Sequence, residues 1–83
     1  MDTRVAIISI IVEHAEDSAI NELNSLLHAY SEYVIGRMGI PYRAKNMNII
    51  SVAIDAPVDR INTLAGKLGK LPGITARAIY SAE

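Results

Sequence analysis

Few side chains in this sequence have the types and spacing that chemistry requires. His14 and His28 show neither a His-x-His nor a Cys–His pattern, so they could hold a metal only if other chains supplied ligands. The chain contains no cysteine, which excludes a disulfide scaffold, an iron–sulfur cluster and a thiol nucleophile. No serine has a histidine at a spacing that suggests a catalytic triad. We therefore expect two solvated histidines, no catalytic residue, no metal site and no cofactor.

The segment from Gly36 to Arg43 has an unusual composition for a strand, with two glycines, two arginines and a proline. Glycine inside a strand permits a ligand or another backbone to approach closely, although it can also simply kink the strand. An arginine in a partly dry interface binds a carboxylate or a phosphate through its bidentate fork, or pairs with an acid of a neighbouring chain. The candidate ligand- or partner-binding residues are Ser9, Gly36, Arg37, Gly39, Tyr42, Arg43, Ser51 and Arg77.

The composition is typical of one small domain that spans residues 1–83. Its 83 residues are about half of a typical domain of ~150 residues, and a hydrophobic content of 51% is too high for a disordered chain. The formal net charge of -1 argues against a nucleic-acid-binding domain, which usually has a strongly basic face. The apolar run 5–12 is much shorter than the ~20 residues that span a bilayer, and acidic residues follow it. We therefore expect a cytoplasmic protein without membrane contact.

Hydrophobic periodicity divides the chain into two halves, and it predicts a strand, a helix and a strand in each half. Strands are predicted over 4–12, 33–40, 47–56 and 74–80, and helices over 17–30 and 57–68. Right-handed crossovers place the first and third strands side by side at the centre of the sheet. The predicted fold is α+β, a ferredoxin-like βαββαβ sandwich whose four-stranded antiparallel sheet carries two helices on one face.

Because the helices cover only one face, strand alternation predicts which side chains remain on the other, here called the open face. In the second strand it assigns Val34, Met38 and Ile40 to the helix side. It assigns Ile35 and Arg37 to the open face, with Arg37 opposite Ser51. The open face is predicted to carry the apolar residues Val5, Ile7, Ile11, Ile35, Ile49, Ala53 and Ile79. A monomer rarely exposes such a patch, so we expect a homodimer or homotetramer packed through this face.

The sequence resembles a known family in several segments. Similarity to the small bacterial iron-only hydrogenase system regulators is seen in 25–30, 33–43, 54–57, 66–69 and 71–74, with GRMGIPYR the most specific stretch. More distantly, the element order and the Leu-Pro-Gly before the last strand resemble ACT-type regulatory domains and the carboxy-terminal half of nickel-responsive repressors. The metal ligands of those repressors have no counterparts here. The resemblance therefore implies a regulatory, oligomerising and ligand-sensing module that does not sense nickel.

Two functional hypotheses follow from the residues and the resemblance. In the first, the chain is a small regulatory module of the iron-only hydrogenase system that acts on transcription by sensing a small ligand or through a separate protein partner. In the second, it is a purely structural interaction domain without a ligand. An anion held at a subunit interface by Arg37 or Arg77 would distinguish the first from the second. An enzyme is the weakest interpretation, because no nucleophile–base pair is visible.

The chain alone is predicted not to bind duplex DNA with sequence preference, because its net charge is -1 and it has no basic helix. A gel-shift titration at physiological salt with several unrelated duplexes measures this directly. Discrimination between those duplexes by the isolated chain would contradict the prediction. Any contact with promoter DNA is then the task of a separate DNA-binding partner.

Overall fold

The structure is a computed structural model that describes residues 2–82, and it contains two α-helices and a four-stranded antiparallel sheet. The strands are β1 (Arg4–Glu13), β2 (Val34–Tyr42), β3 (Met47–Ala56) and β4 (Ile74–Tyr80). The helices are α1 (Asp17–Ala29) and α2 (Val58–Gly69), and short 3₁₀ turns occupy Ser31–Tyr33 and Arg43–Lys45. The order of these elements confirms the predicted ferredoxin-like βαββαβ fold.

The sheet order β2-β3-β1-β4 puts β1 and β3 at the centre, as the crossover rule predicts. These two strands pair along their whole length, from Arg4 opposite Ala56 to Glu13 opposite Met47. Alternate residues are buried in both strands, so one face of each lies under the helices. This alternation fixes the register, because a slip of one residue would turn every buried side chain of a strand to the open face.

The helices form because their apolar residues recur at helical spacing and pack against the sheet. Their buried residues are Ala19, Leu23 and Leu27 in α1 and Ile61, Leu64 and Leu68 in α2. Burial of a side chain such as Leu64 contributes about 1.5–3 kcal/mol to stability. Tyr80 at the end of β4 adds a polar contact, since its hydroxyl donates a hydrogen bond to the Oδ1 atom of Asn62 in α2.

The hairpin loop between β2 and β3 sets the register of β2. Residues 43–46 connect Tyr42 to Met47, and these two residues pair directly. Asn46 adopts the left-handed conformation with φ 54°, which asparagine tolerates better than most residues. Its side-chain amide also lies at hydrogen-bond distance, 3.2 Å, from Nδ1 of His14 at the end of β1. This loop places Arg37 opposite Val52, the neighbour of its predicted partner Ser51.

Three face assignments in β2 are therefore wrong. Met38 and Ile40 lie opposite open-face residues of β3, so they belong to the open face and not to the helix side. Arg37 lies opposite Val52, which is fully buried under the helices, so it points to the helix side and is not opposite Ser51. The cause is the length of the loop, which hydrophobic alternation does not report.

A β-bulge restores the predicted face of the first residue of β2. Val34 lies opposite Ile54 and Gly36 lies opposite Ala53, so Ile35 is the extra residue between two consecutive pairs. A bulge places two residues against one and resets the alternation of the strand. Val34 consequently faces the helices, as predicted. Arg37, which follows the bulge, also faces the helices, although it was predicted on the open face.

The connection between α2 and β4 requires glycine at one position. Gly73 has φ +77°, and its carbonyl oxygen accepts a hydrogen bond of 2.7 Å from the backbone N–H of Glu13. A Cβ atom at this position would lie 2.6 Å from the carbonyl oxygen of Glu13 and 3.2 Å from Cα of Ala15. Both the backbone conformation and the lack of space exclude a side chain. This contact fixes the end of β1 against the start of β4.

Gly73→Ala is expected to destabilise the protein by about 2 kcal/mol or more, because backbone strain is added to a clash with backbone atoms. Urea unfolding followed by circular dichroism at one fixed protein concentration measures the change. The matched control is Gly66→Ala in α2, where an added Cβ meets nothing within 4 Å. The control should stabilise the protein by about 0.5–1 kcal/mol. A Gly73→Ala protein as stable as wild type would refute the role assigned to this contact.

Candidate functional site

The open face of the sheet carries almost all of the exposed large apolar side chains. Among residues 2–82, the only other one is Val58 at the start of α2. The set consists of Val5, Ile7, Ile11, Ile35, Met38, Ile40, Tyr42, Ile49 and Ile79. Three of them are exposed to nearly two thirds of their area, Ile35 at 64%, Met38 at 63% and Ile79 at 66%. An apolar surface of this kind is typical of a site of association.

The central row of the open face contains three polar side chains beside one methionine. The strand register places Met38, Ser51, Ser9 and Arg77 side by side across the four strands. The rows above and below it are mainly aliphatic. Ser9 is thus the direct cross-strand neighbour of Arg77, which has an aliphatic surrounding on this face.

Acidic residues lie at both ends of the same face. Glu13 is the last residue of β1, and Asp55 lies opposite Val5 near the other end of the sheet. Both side chains are exposed. The face therefore has a positive charge in its central row and negative charges at its ends.

A groove lies on the other side of β2, between that strand and α1. It consists of two cavities of about 340 and 320 Å³, whose walls share Asn24 and Arg37. No residue of β2 is buried, because α1 packs over the central strands and leaves this edge strand uncovered. Gly39 widens the groove, since even an added Cβ would be 4.0 Å from Cγ1 of Ile50. The groove is thus a consequence of an edge strand that extends beyond the helix layer.

The polar side chains of the groove come from both of its walls. Arg37 lies on β2, while Asn24, His28 and Ser31 line the first cavity from α1 and the turn after it. None of the residues that line either cavity is acidic. Sequence reasoning did not find the polar residues of α1. Asn24 and His28 are four residues apart and share a helix face, but the sequence does not indicate which strand that face meets.

The predicted ligand- or partner-binding residues are divided between two surfaces. The open face holds Ser9, Gly36, Tyr42, Ser51 and Arg77. The groove holds Arg37 and Gly39, and Arg43 begins the hairpin turn. The sheet itself separates Arg37 from Arg77, so the two arginines do not form one site within a chain.

The histidines do not join a cluster of metal-binding groups. His14 contacts Asn46 at the hairpin, and His28 lies at the groove. Among residues 2–82, no group of three or more His, Asp or Glu side chains is arranged to hold a metal ion. Within the same range, neither helix is long and apolar enough to cross a membrane.

The element order and the strand order define a small ferredoxin-like βαββαβ domain. Residues 4–78 match the family described as "TM1266-like: Iron-only hydrogenase system regulator, putative". Because this match spans most of the chain, the protein belongs to that family. The finding confirms the resemblance seen in the sequence segments.

Solved structures show the same fold. The uncharacterized protein TM1266 from Thermotoga maritima superposes with a TM-score of 0.90 at 35% identity, over 95% of this chain and 98% of that chain. The ACT domain from GTP pyrophosphokinase of Chlorobium tepidum gives 0.76 at 18% identity, over 93% of this chain and 99% of that chain. The C-terminal domain of the MgtC protein from Mycobacterium tuberculosis gives 0.72 at 11% identity, over 96% and 94% of the two chains. The likeness to the ACT domain and to the MgtC domain shows the fold alone, because both identities are low. No curated protein matches the chain.

Proposed function

We propose that this protein is an oligomeric regulatory module of the iron-only hydrogenase system, assembled as a homodimer or homotetramer through its open face. Its family supports the regulatory role, and the apolar surface supports the assembly. With a net charge of -1, the module reaches transcription through a separate DNA-binding partner and not by its own contact with DNA. A small ligand adjusts how the assembled module engages that partner.

The observation that carries the assembly is the set of exposed apolar side chains on the open face. Its removal from water is worth roughly 25 cal/mol per Å² of apolar area. A second copy presents the same apolar face and can cover the first. Nucleic acid is a poor occupant, because sheets that bind RNA stack bases on aromatic side chains and this face carries only Tyr42.

The central polar row constrains how two faces pack. A guanidinium that is desolvated without a partner is costly, so Arg77 must meet an anion when the face is covered. Glu13 and Asp55 lie at the ends of the face, so they supply carboxylates to Arg77 if the second copy is displaced along the strands. The serines Ser9 and Ser51 add hydrogen-bonding groups to the same row. Pairs of this kind contribute mainly to the choice of orientation, while the aliphatic rows contribute most of the binding energy.

Ile7→Asp and Ile49→Asp are expected to convert the oligomer into monomer, because each places a carboxylate without a partner in the covered surface. Size-exclusion chromatography with light scattering measures the mass. The matched control is Val58→Asp, which adds the same charge at an exposed apolar residue outside the open face. The control should keep the mass of wild type.

Circular dichroism of each variant verifies that a change of mass is not a loss of fold. If both open-face variants keep the wild-type mass while remaining folded, the face is not the interface. If Val58→Asp dissociates the protein as readily as Ile7→Asp, the effect is one of net charge, and the same conclusion follows.

The regulatory role has its own test in a strain that contains an iron-only hydrogenase. Deletion of the gene should change hydrogenase transcript levels, and wild-type protein or Val58→Asp should restore them. Ile7→Asp should fail to do so at equal protein abundance, because the assembly is lost. Unchanged hydrogenase expression in the deletion strain would refute the regulatory role and leave a structural interaction domain as the function.

A further inference from the structure

The groove between α1 and β2 is formed within one chain, on the face of the sheet opposite the proposed interface. One side is the edge of β2, at Arg37 and Gly39, and the other side is α1 from Ile20 to Asn24. Its floor includes Ile50, which is 8% exposed and would be covered if residue 39 had a side chain. The glycine at this position of the edge strand therefore leaves Ile50 accessible at the floor of the groove.

The groove is lined by a cationic side chain, Arg37, and by no acidic side chain. Arg37 lies where the two cavities meet, and Asn24 faces it from α1. Asn48 provides a third polar side chain in the cavity near Ile20. Because no lining residue is acidic, the guanidinium has no carboxylate partner among the groove walls. A planar guanidinium with amide neighbours is well suited to bind a carboxylate through two parallel hydrogen bonds.

The remainder of this cavity is apolar. Its walls include Val12, Ile20 and Leu23, with Ile50 at the floor and Pro41 at the rim. A volume of about 320 Å³ is at the lower end of the range for small-molecule sites. A few polar groups that fix orientation, above a mainly apolar floor, are the usual composition of such a site. The cavity thus fits a compact molecule with one anionic end and one hydrocarbon part.

We propose that this groove is the ligand site of the module and binds a small organic monocarboxylate. The carboxylate binds Arg37 with Asn24 beside it, and the hydrocarbon part lies over Gly39 against Ile50 and the apolar side of α1. The regulatory meaning of this binding rests on the proposed function. The inference adds the chemical class of the ligand. It also moves the site from the subunit interface to the helix side of β2, which each chain provides alone.

The test uses hexanoate and benzoate as probes, with isothermal titration calorimetry and ¹⁵N-resolved NMR on the full chain. Both probes should bind, with Kd values in the millimolar range or tighter, and the amide shifts should cluster at Asn24, Arg37 and Gly39. Hexanamide and benzamide, which keep the hydrocarbon part without the charge, should bind at least about tenfold more weakly. Inorganic phosphate, which lacks a hydrocarbon part, should bind more weakly than either carboxylate.

Two pairs of variants locate the site. Arg37→Met should weaken hexanoate binding by about tenfold or more, while Arg77→Met on the open face should leave it unchanged. Gly39→Val should abolish binding by filling the cavity; the φ of Gly39 is not positive, and the nearest atom to its Cβ is 4.0 Å away, so the strand tolerates the change. Gly36→Ala, in the same strand but on the open face, is its control. Thermal melting of each variant verifies its fold.

The outcomes separate this inference from the proposed function. Binding that persists in monomeric Ile7→Asp supports a site within one chain. No binding of either carboxylate at 10 mM, roughly the weakest affinity that such a site could use, would overturn the inference and leave the assembly intact. Equal affinity for phosphate and carboxylate, or shifts centred on Arg77, would also overturn it. Loss of the oligomer without loss of binding, by contrast, bears only on the interface.

Discussion

A sheet has two faces, and the two helices of this chain cover only one of them. Every other feature of the molecule depends on that constraint. The central strands bury alternate residues under α1 and α2, with Ile8, Val52 and Ile54 at 0% exposure. The remaining half of their side chains must then lie on the open face. Six of these ten side chains are apolar, so the core of the fold is complete while the open face leaves apolar surface exposed.

The edge strand β2 serves both surfaces. Through Met38 and Ile40 it extends the apolar open face, and through Arg37 and Gly39 it forms one wall of the groove. None of its residues is buried, so few core contacts hold it in one conformation compared with β1 or β3. A ligand in the groove and a second subunit on the open face would restrain the same strand from opposite sides. If both proposals hold, this shared strand is the physical route by which ligand and subunit would influence each other.

Hydrophobic alternation predicts the fold and three of the four strands, because alternate residues of these three strands pack under the helices. The bounds of β3 and β4 match the prediction, and the inner residues of β1 follow it without exception. In β2, by contrast, alternation predicts the wrong faces for identifiable reasons. Gly36 and Gly39 have no side chain to mark a face, the four-residue loop moves the pairing by one position, and the bulge at Ile35 moves it back. Arg37 was therefore recognised as a candidate site residue but was predicted on the wrong face. The polar residues of α1 could not be assigned, because their role depends on which strand lies opposite.

The central claim is that the open face is covered by a second copy of the same chain. Native mass spectrometry of the wild-type protein, purified from its source at near-physiological ionic strength, measures the number of subunits and any retained ligand together. The account predicts an even multiple of the 9.0 kDa chain mass, two or four subunits, with monomer as a minor species. A spectrum in which the folded 9.0 kDa monomer is the main species at micromolar concentration would contradict it.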